Sequence, residues 1–159
     1  MNLATKRKTT RQDRFVLRYF ILCDDARREA NGKLLLVGVY NDDVLITSES
    51  QEFPRLSFVF SISRLTDELP SVGTFRLQGP DGVLLPQTKF QVHQGLPEFK
   101  ATNLLIHASG LSLSSGAYQA ILSINGSSEL VGEFLVRHDP ELLKRVVLAS
   151  AFPAEPVSS

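Results

Sequence analysis

Two acidic pairs, Asp24-Asp25 and Asp42-Asp43, are the residues whose types and spacing come nearest to a chemical site. Carboxylate oxygens are hard ligands, and calcium collects roughly six to eight oxygens, often from the loops of β proteins. The four aspartates therefore define a candidate metal site. The elements that must position them weaken it. If Lys33–Tyr40 returns antiparallel to Phe15–Cys23, one pair stands at each end of that hairpin, about 20 Å apart at roughly 3.3 Å per residue. Arg27, Arg28 and Lys33 also crowd the first pair, so turn chemistry and local ion pairs compete with metal binding as the role of these carboxylates.

Other reactive residue types are sparse. His93, His107 and His138 lack the close His or Cys spacing of a zinc site, and each reads as a surface or strand-end histidine. Cys23 ends an apolar run beside two carboxylates, which raise a thiol pKa and favour a packed thiol over a nucleophile. The serine-rich stretch 109–116 has no G-x-S-x-G elbow around it and reads as a loop leading into a strand. Neither a Walker pattern nor a G-x-G-x-x-G turn is present, so nucleotide use has no support. No cofactor is expected, and the chain reads as a non-enzyme.

Charge is unevenly spread although the whole chain of 159 residues is formally neutral. Lys6, Arg7, Lys8, Arg11, Arg14 and Arg18 face only Asp13 in the leader, and the rest carries eleven basic and sixteen acidic residues. Lys6, Arg7, Lys8, Arg11 and Arg14 form a basic arm able to meet an acidic partner or nucleic acid through counterion release. The arm has no aromatic group for stacking on bases, and an acidic body is unlike most nucleic-acid-binding domains. A solubilising leader is the alternative role.

A chain of this length suits a single core. The apolar fraction of 43% and charged fraction of 21% place it among ordinary globular proteins. One cysteine cannot form an internal disulfide, as in a reducing compartment, and a cytoplasmic location is expected. Arg18 interrupts the early apolar run and no small-x-small cleavage site follows, so that run reads as a strand and not as a signal peptide. Four segments are expected: a disordered arm at 1–12, a β-sandwich at 13–138, a short helix at 139–152 and a frayed tail at 153–159.

Within the body, short β-branched and aromatic runs alternate with turn residues, as in a sandwich or barrel. The expected strands are Phe15–Cys23, Lys33–Tyr40, Val44–Thr47, Arg55–Arg64, Thr74–Gln78, Lys89–His93, Thr102–Ala108, Ala117–Ile124 and Glu129–Arg137. Asn31-Gly32, Pro80-Asp81-Gly82 and Asn125-Gly126 supply turn chemistry, while Pro54, Pro70, Pro86 and Pro97 fall between strands. Leu56, Phe58, Phe60 and Ile62 share one face of their strand, with Ser57, Ser61 and Ser63 on a wet one. The first two strands are apolar on both faces and need a cover. Asp139, Pro140 and the stripe Leu142, Leu143, Val146 and Val147 predict a capped amphipathic helix to supply it, with an identical subunit or another protein as the alternative.

Phe20-Ile-Leu-Cys-Asp-Asp-Ala-Arg-Arg-Glu29 followed by Asn31-Gly-Lys-Leu-Leu-Leu-Val-Gly-Val-Tyr40 resembles the opening of a bacterial family of small uncharacterised proteins. Gly116–Gly126 and Glu133–Val136 are similar to the closing hairpin of immunoglobulin-like sandwiches. The resemblance implies a β-sandwich and a bacterial source; together with the strands and the helix read from the residues, the expected fold is an all-β, antiparallel immunoglobulin-like sandwich of about eight or nine strands with a short C-terminal helix. It carries no activity and no catalytic residues. The functional expectation is a non-enzymatic protein-binding or assembly module, possible as a homo-oligomer, with calcium or ligand binding and nucleic-acid contact as alternatives.

Overall fold

Period-two alternation decides which face of each strand turns inward. In the computed structural model, which describes residues 15–41, 43–64, 71–92, 101–124, 126–142 and 144–145, that alternation builds nine strands in two sheets. They are β1 (Phe15–Arg28), β2 (Leu34–Tyr40), β3 (Asp43–Ile46), β4 (Ser50–Arg64), β5 (Ser71–Gly79), β6 (Gly82–Val92), β7 (Ala101–Ser114), β8 (Gly116–Ile124) and β9 (Ser127–His138). One sheet has the order β2-β1-β4-β7 and the other β3-β9-β8-β5-β6. Every pairing is antiparallel except β3 with β9, which is parallel. The all-β class and two-sheet build agree with the sequence reading.

Turn residues sit where the chain reverses. Gly32, Gly82 and Gly126 all have positive φ, as their hairpins require. Asn31 Oδ1 accepts the Lys33 amide at 2.9 Å, which closes the β1–β2 turn.

The main core lies between the sheets. Leu56, Phe58, Phe60 and Ile62 of β4 are wholly buried there with Phe75 and Leu77 of β5. The Phe58 and Phe60 ring centroids lie 5.1 and 5.4 Å from that of Phe75, and Phe20 adds a third contact at 5.4 Å from Phe60. Each such ring contributes on the order of 1.5–3 kcal/mol by leaving water. Gly132 of β9 makes room for Phe20, because a Cβ there would run into that ring. Tyr118 is buried against Phe134, and its hydroxyl donates to Ser114 O at 2.8 Å while accepting the Ser114 amide.

Several expectations change. β1 continues past Cys23 to Arg28, because Asp25–Arg28 pair with Leu34–Val37. Asp24 and Asp25 are therefore strand residues and not a turn. β7 likewise continues through the serine-rich stretch to Ser114, paired with Ser50–Phe53 of β4. Pro54 lies inside β4 and Pro86 inside β6. Pro54 is tolerated because β1 pairs with β4 only as far as Ser57, so beyond that point one side of β4 needs no donor. Pro86 sits on an edge strand at a register shift. Ser57 and Ser61, expected on a wet face, are buried because β4 lies between β1 and β7.

At the C-terminal end the described residues show a single turn. Asp139 Oδ1 accepts the Glu141 amide at 3.1 Å, the Arg145 amide donates to Glu141 O, and Arg145 pairs with Asp139. Residues 146–152, with the rest of the expected helix and its docking, lie outside the described residues, as do Pro70 and Pro97. No helix among the described residues is long and apolar enough to cross a membrane.

Candidate functional site

Val59 lies between Phe58 and Phe60 in the chain, so it points away from the inter-sheet core. It forms a second small cluster with Cys23 and Ala26, joined by the partly buried Ile21, Leu34, Leu36 and Leu105. Polar groups gather around this cluster where β1, β2, β4 and β7 run side by side. The Cys23 thiol is buried and donates to Asp25 O at 3.4 Å and Ser57 O at 3.7 Å. Burial, then the Asp24 and Asp25 charges, push its pKa up, so it stays a protonated thiol.

The two aspartates on β1 are already occupied. Asp24 Oδ1 accepts the Tyr40 hydroxyl at 2.6 Å, across from Gly38, whose positive φ and missing Cβ leave room for the carboxylate. Burial and this bond push the Tyr40 pKa well above its ordinary value, which keeps the phenol a donor. Asp25 takes Arg27 Nε at 2.5 Å on one oxygen, and Arg55 Nε stands 3.2 Å from the other. That second oxygen is buried and accepts no aligned hydrogen bond among the described residues, so Arg55 supplies charge alone. The Arg27 bond, foremost, holds the Asp25 pKa below its ordinary range.

Ser57 Oγ lies 2.9 Å from His107 Nδ1, which superficially matches a nucleophile and its base. Ser57 is fully buried, and no carboxylate among the described residues orients the other ring nitrogen, so the pair is a structural link between β4 and β7. Burial lowers the His107 pKa, with the Arg55 charge assisting. His107 is exposed in the middle of β7, a surface position and not a strand end.

Register moves the first acidic pair off the hairpin turn and into the β1–β2 ladder. Leu22 pairs with Tyr40, which brings Asp24 to the end of β2 that leads into Asp43. Asp43 opens β3 in the other sheet and holds Arg137 at 2.5 Å. Asp42 lies outside the described residues, as do Lys6, Arg7, Lys8, Arg11, Arg14 and His93. Among the described residues no three His, Cys, Asp or Glu side chains are grouped to hold a metal ion. His138 ends β9, its amide bonded to Ser115 Oγ at 3.0 Å.

The margin of this sheet is β2, which pairs with β1 and has no second neighbour among the described residues. Leu35, Val37 and Val39 are 47%, 50% and 44% exposed along it. A strand edge leaves about half of its amides and carbonyls unpaired, and an apolar one is a template for another strand. Beside it an open groove of about 400 Å³ is lined by Val39, Tyr40, Asn41, Asp43 and Leu45.

Residues 18–137 match the model of a family of unknown function, DUF6941. The chain belongs to that family. Among curated proteins none matches it. Among solved structures it is similar to the crystal structure of the C-terminal domain of wzt, at 10% identity and a TM-score of 0.42, over 81% of this chain and 80% of that one.

Tyr40, Arg55, Ser57 and His107 were not singled out as one site by sequence. Ser57 and His107 are fifty positions apart, and no linear pattern marks residues that meet only through strand pairing.

Proposed function

We propose that this protein is a non-enzymatic protein-binding or assembly module that takes its partner along the free edge of β2. The observation that carries this reading is the exposure of Leu35, Val37 and Val39 on a strand with one neighbour among the described residues. An edge of this kind offers main-chain hydrogen bonds for affinity and alternate side chains for specificity, which is how β-strand addition works. The polar groups nearby are engaged with one another: Asp24 with Tyr40, Asp25 with two arginines, Ser57 with His107. They stiffen the strands beneath the edge.

We place the protein in a reducing cytoplasm, on its single buried thiol, and in a bacterium, on the opening segment Phe20–Tyr40. The immunoglobulin-like character of the sandwich belongs to the same proposal and rests on the β8–β9 hairpin. The test is partner retention by immobilised full-length chain, native against Leu35→Lys and Val37→Lys. Retention lost in both variants at unchanged thermal midpoint supports the reading. Retention unaffected by both, or none by the native chain, ends it.

A further inference from the structure

We infer that the outer face of the β3-β9-β8-β5-β6 sheet binds the phosphate group of a soluble phosphomonoester, with Arg76 as its main anchor. This sheet does not contain β2, so the site stands independently of the edge-binding reading. Phe75 and Leu77 point into the core, so Thr74 and Arg76 point outward, about 7 Å apart at roughly 3.3 Å per residue. Pairing with β8 puts Ser123 beside Thr74 and Ile121 beside Arg76, and β9 adds Ser128 beside Ser123. These five side chains line a hollow of about 170 Å³. A single water needs only about 10–15 Å³, so a tetrahedral oxyanion has room to enter.

The lining offers a guanidinium and three hydroxyls and no carboxylate. Arg27, Arg55, Arg137 and Arg145 each hold an aspartate, whereas the exposed Arg76 forms no ion pair among the described residues. Its planar fork of N–H donors matches two oxygens of a phosphate. The Ser123 and Ser128 hydroxyls lie 2.6 Å apart, and such a pair spends one proton between its members and leaves the other to donate to a ligand oxygen. Lys89 of β6 is exposed opposite Thr74 on the same face, and it too forms no ion pair among the described residues. Glu133, one row further along this face, is held by Gln119 at 2.8 Å. Arg76 and Lys89 together suit the charge of about −1.5 to −2 that a phosphomonoester carries at pH 7, more than the single charge of a sulfate ester or a carboxylate.

Isothermal titration calorimetry of the full chain with methyl phosphate tests the inference, with methyl sulfate and acetate as the monoanions. Methyl phosphate is expected to bind, and the monoanions at least about tenfold more weakly. Arg76→Gln loses a charge-assisted contact and is expected to weaken methyl phosphate binding at least about tenfold at an unchanged thermal midpoint. Lys89→Gln and Ser123→Ala are each expected to weaken it about threefold, and Lys89→Gln carries the test if Arg76→Gln fails to fold. No binding of methyl phosphate up to about 10 mM overturns the inference, as does binding that Arg76→Gln leaves unchanged or equal affinity for the monoanions. Lipid headgroups carry the same phosphate, so vesicles containing phosphatidic acid form a second arm. Retention on those vesicles without binding of the free ester overturns the soluble source.

Discussion

The inter-sheet core and the β2 margin are built from the same kinds of residue and are treated in opposite ways. Phe58, Phe60, Phe75 and Leu77 are wholly buried, each ring packed on another, so nothing there is left to recognise a partner. Leu35, Val37 and Val39 are as apolar and stay about half exposed on a strand with one neighbour among the described residues. Burial concentrates stability in the first region, and the exposed apolar surface of the second is where we propose that a partner binds. Between them lies the polar layer of Asp24, Asp25, Tyr40, Ser57 and His107, which ties β1, β2, β4 and β7 together.

The sharpest break of this contrast is Phe60→Ala. It removes a ring that touches both Phe20 and Phe75, and a loss of about 3–5 kcal/mol in urea unfolding is expected. A loss under about 1 kcal/mol would mean that the stability of the molecule does not reside in that aromatic stack. Gly132→Ala comes next. The new Cβ has to displace Phe20, at a cost of about 1–3 kcal/mol by overpacking, read in the same assay.

Smaller effects belong to the polar layer and are read against pH. The lowered His107 pKa means that the unfolded chain takes up a proton more readily than the folded one. Stability is expected to fall as pH drops below 6.5, the ordinary histidine value, until the folded-state pKa is passed. His107→Gln removes that slope, and an unchanged pH profile of thermal unfolding in the variant contradicts the assignment. Asp25 acts in a more acidic window. Its depressed pKa contributes stability above the ordinary carboxylate value of 3.8 that is lost as pH falls through the lower folded-state value, and Asp25→Asn flattens that limb.

The smallest effect on folding is expected at the margin. Val37→Lys on an exposed edge position should change unfolding free energy by no more than about 0.5 kcal/mol. A large destabilisation there would show that β2 is held by the body as firmly as the core strands, and the two regions would no longer differ.

Much of the fold was legible along the chain. Leu56, Phe58, Phe60 and Ile62 announce an inward face by alternation, and Asn31-Gly32, Pro80-Asp81-Gly82 and Asn125-Gly126 mark hairpins by backbone chemistry that needs no tertiary context. Strand ends were less legible. Asp24-Asp25-Ala26-Arg27-Arg28 and the serine run ending at Ser114 have the composition of turns, and they become strand because a neighbouring strand pairs with their backbone. The candidate site suffered from the same limit. The four aspartates were visible as residue types, but the register of β1 on β2 assigned Asp24 to Tyr40 and Asp25 to its arginines.

By itself, then, the sequence determined the all-β class, most hairpin turns and the unusual apolarity of the first two strands, because these depend on local dihedral preference and period-two patterning. Only the tertiary structure decided that β1 is interior and β2 an edge, that Ser57 meets His107, and that Leu35, Val37 and Val39 are left exposed. Strand order and register bring together residues dozens of positions apart, and no local preference encodes them.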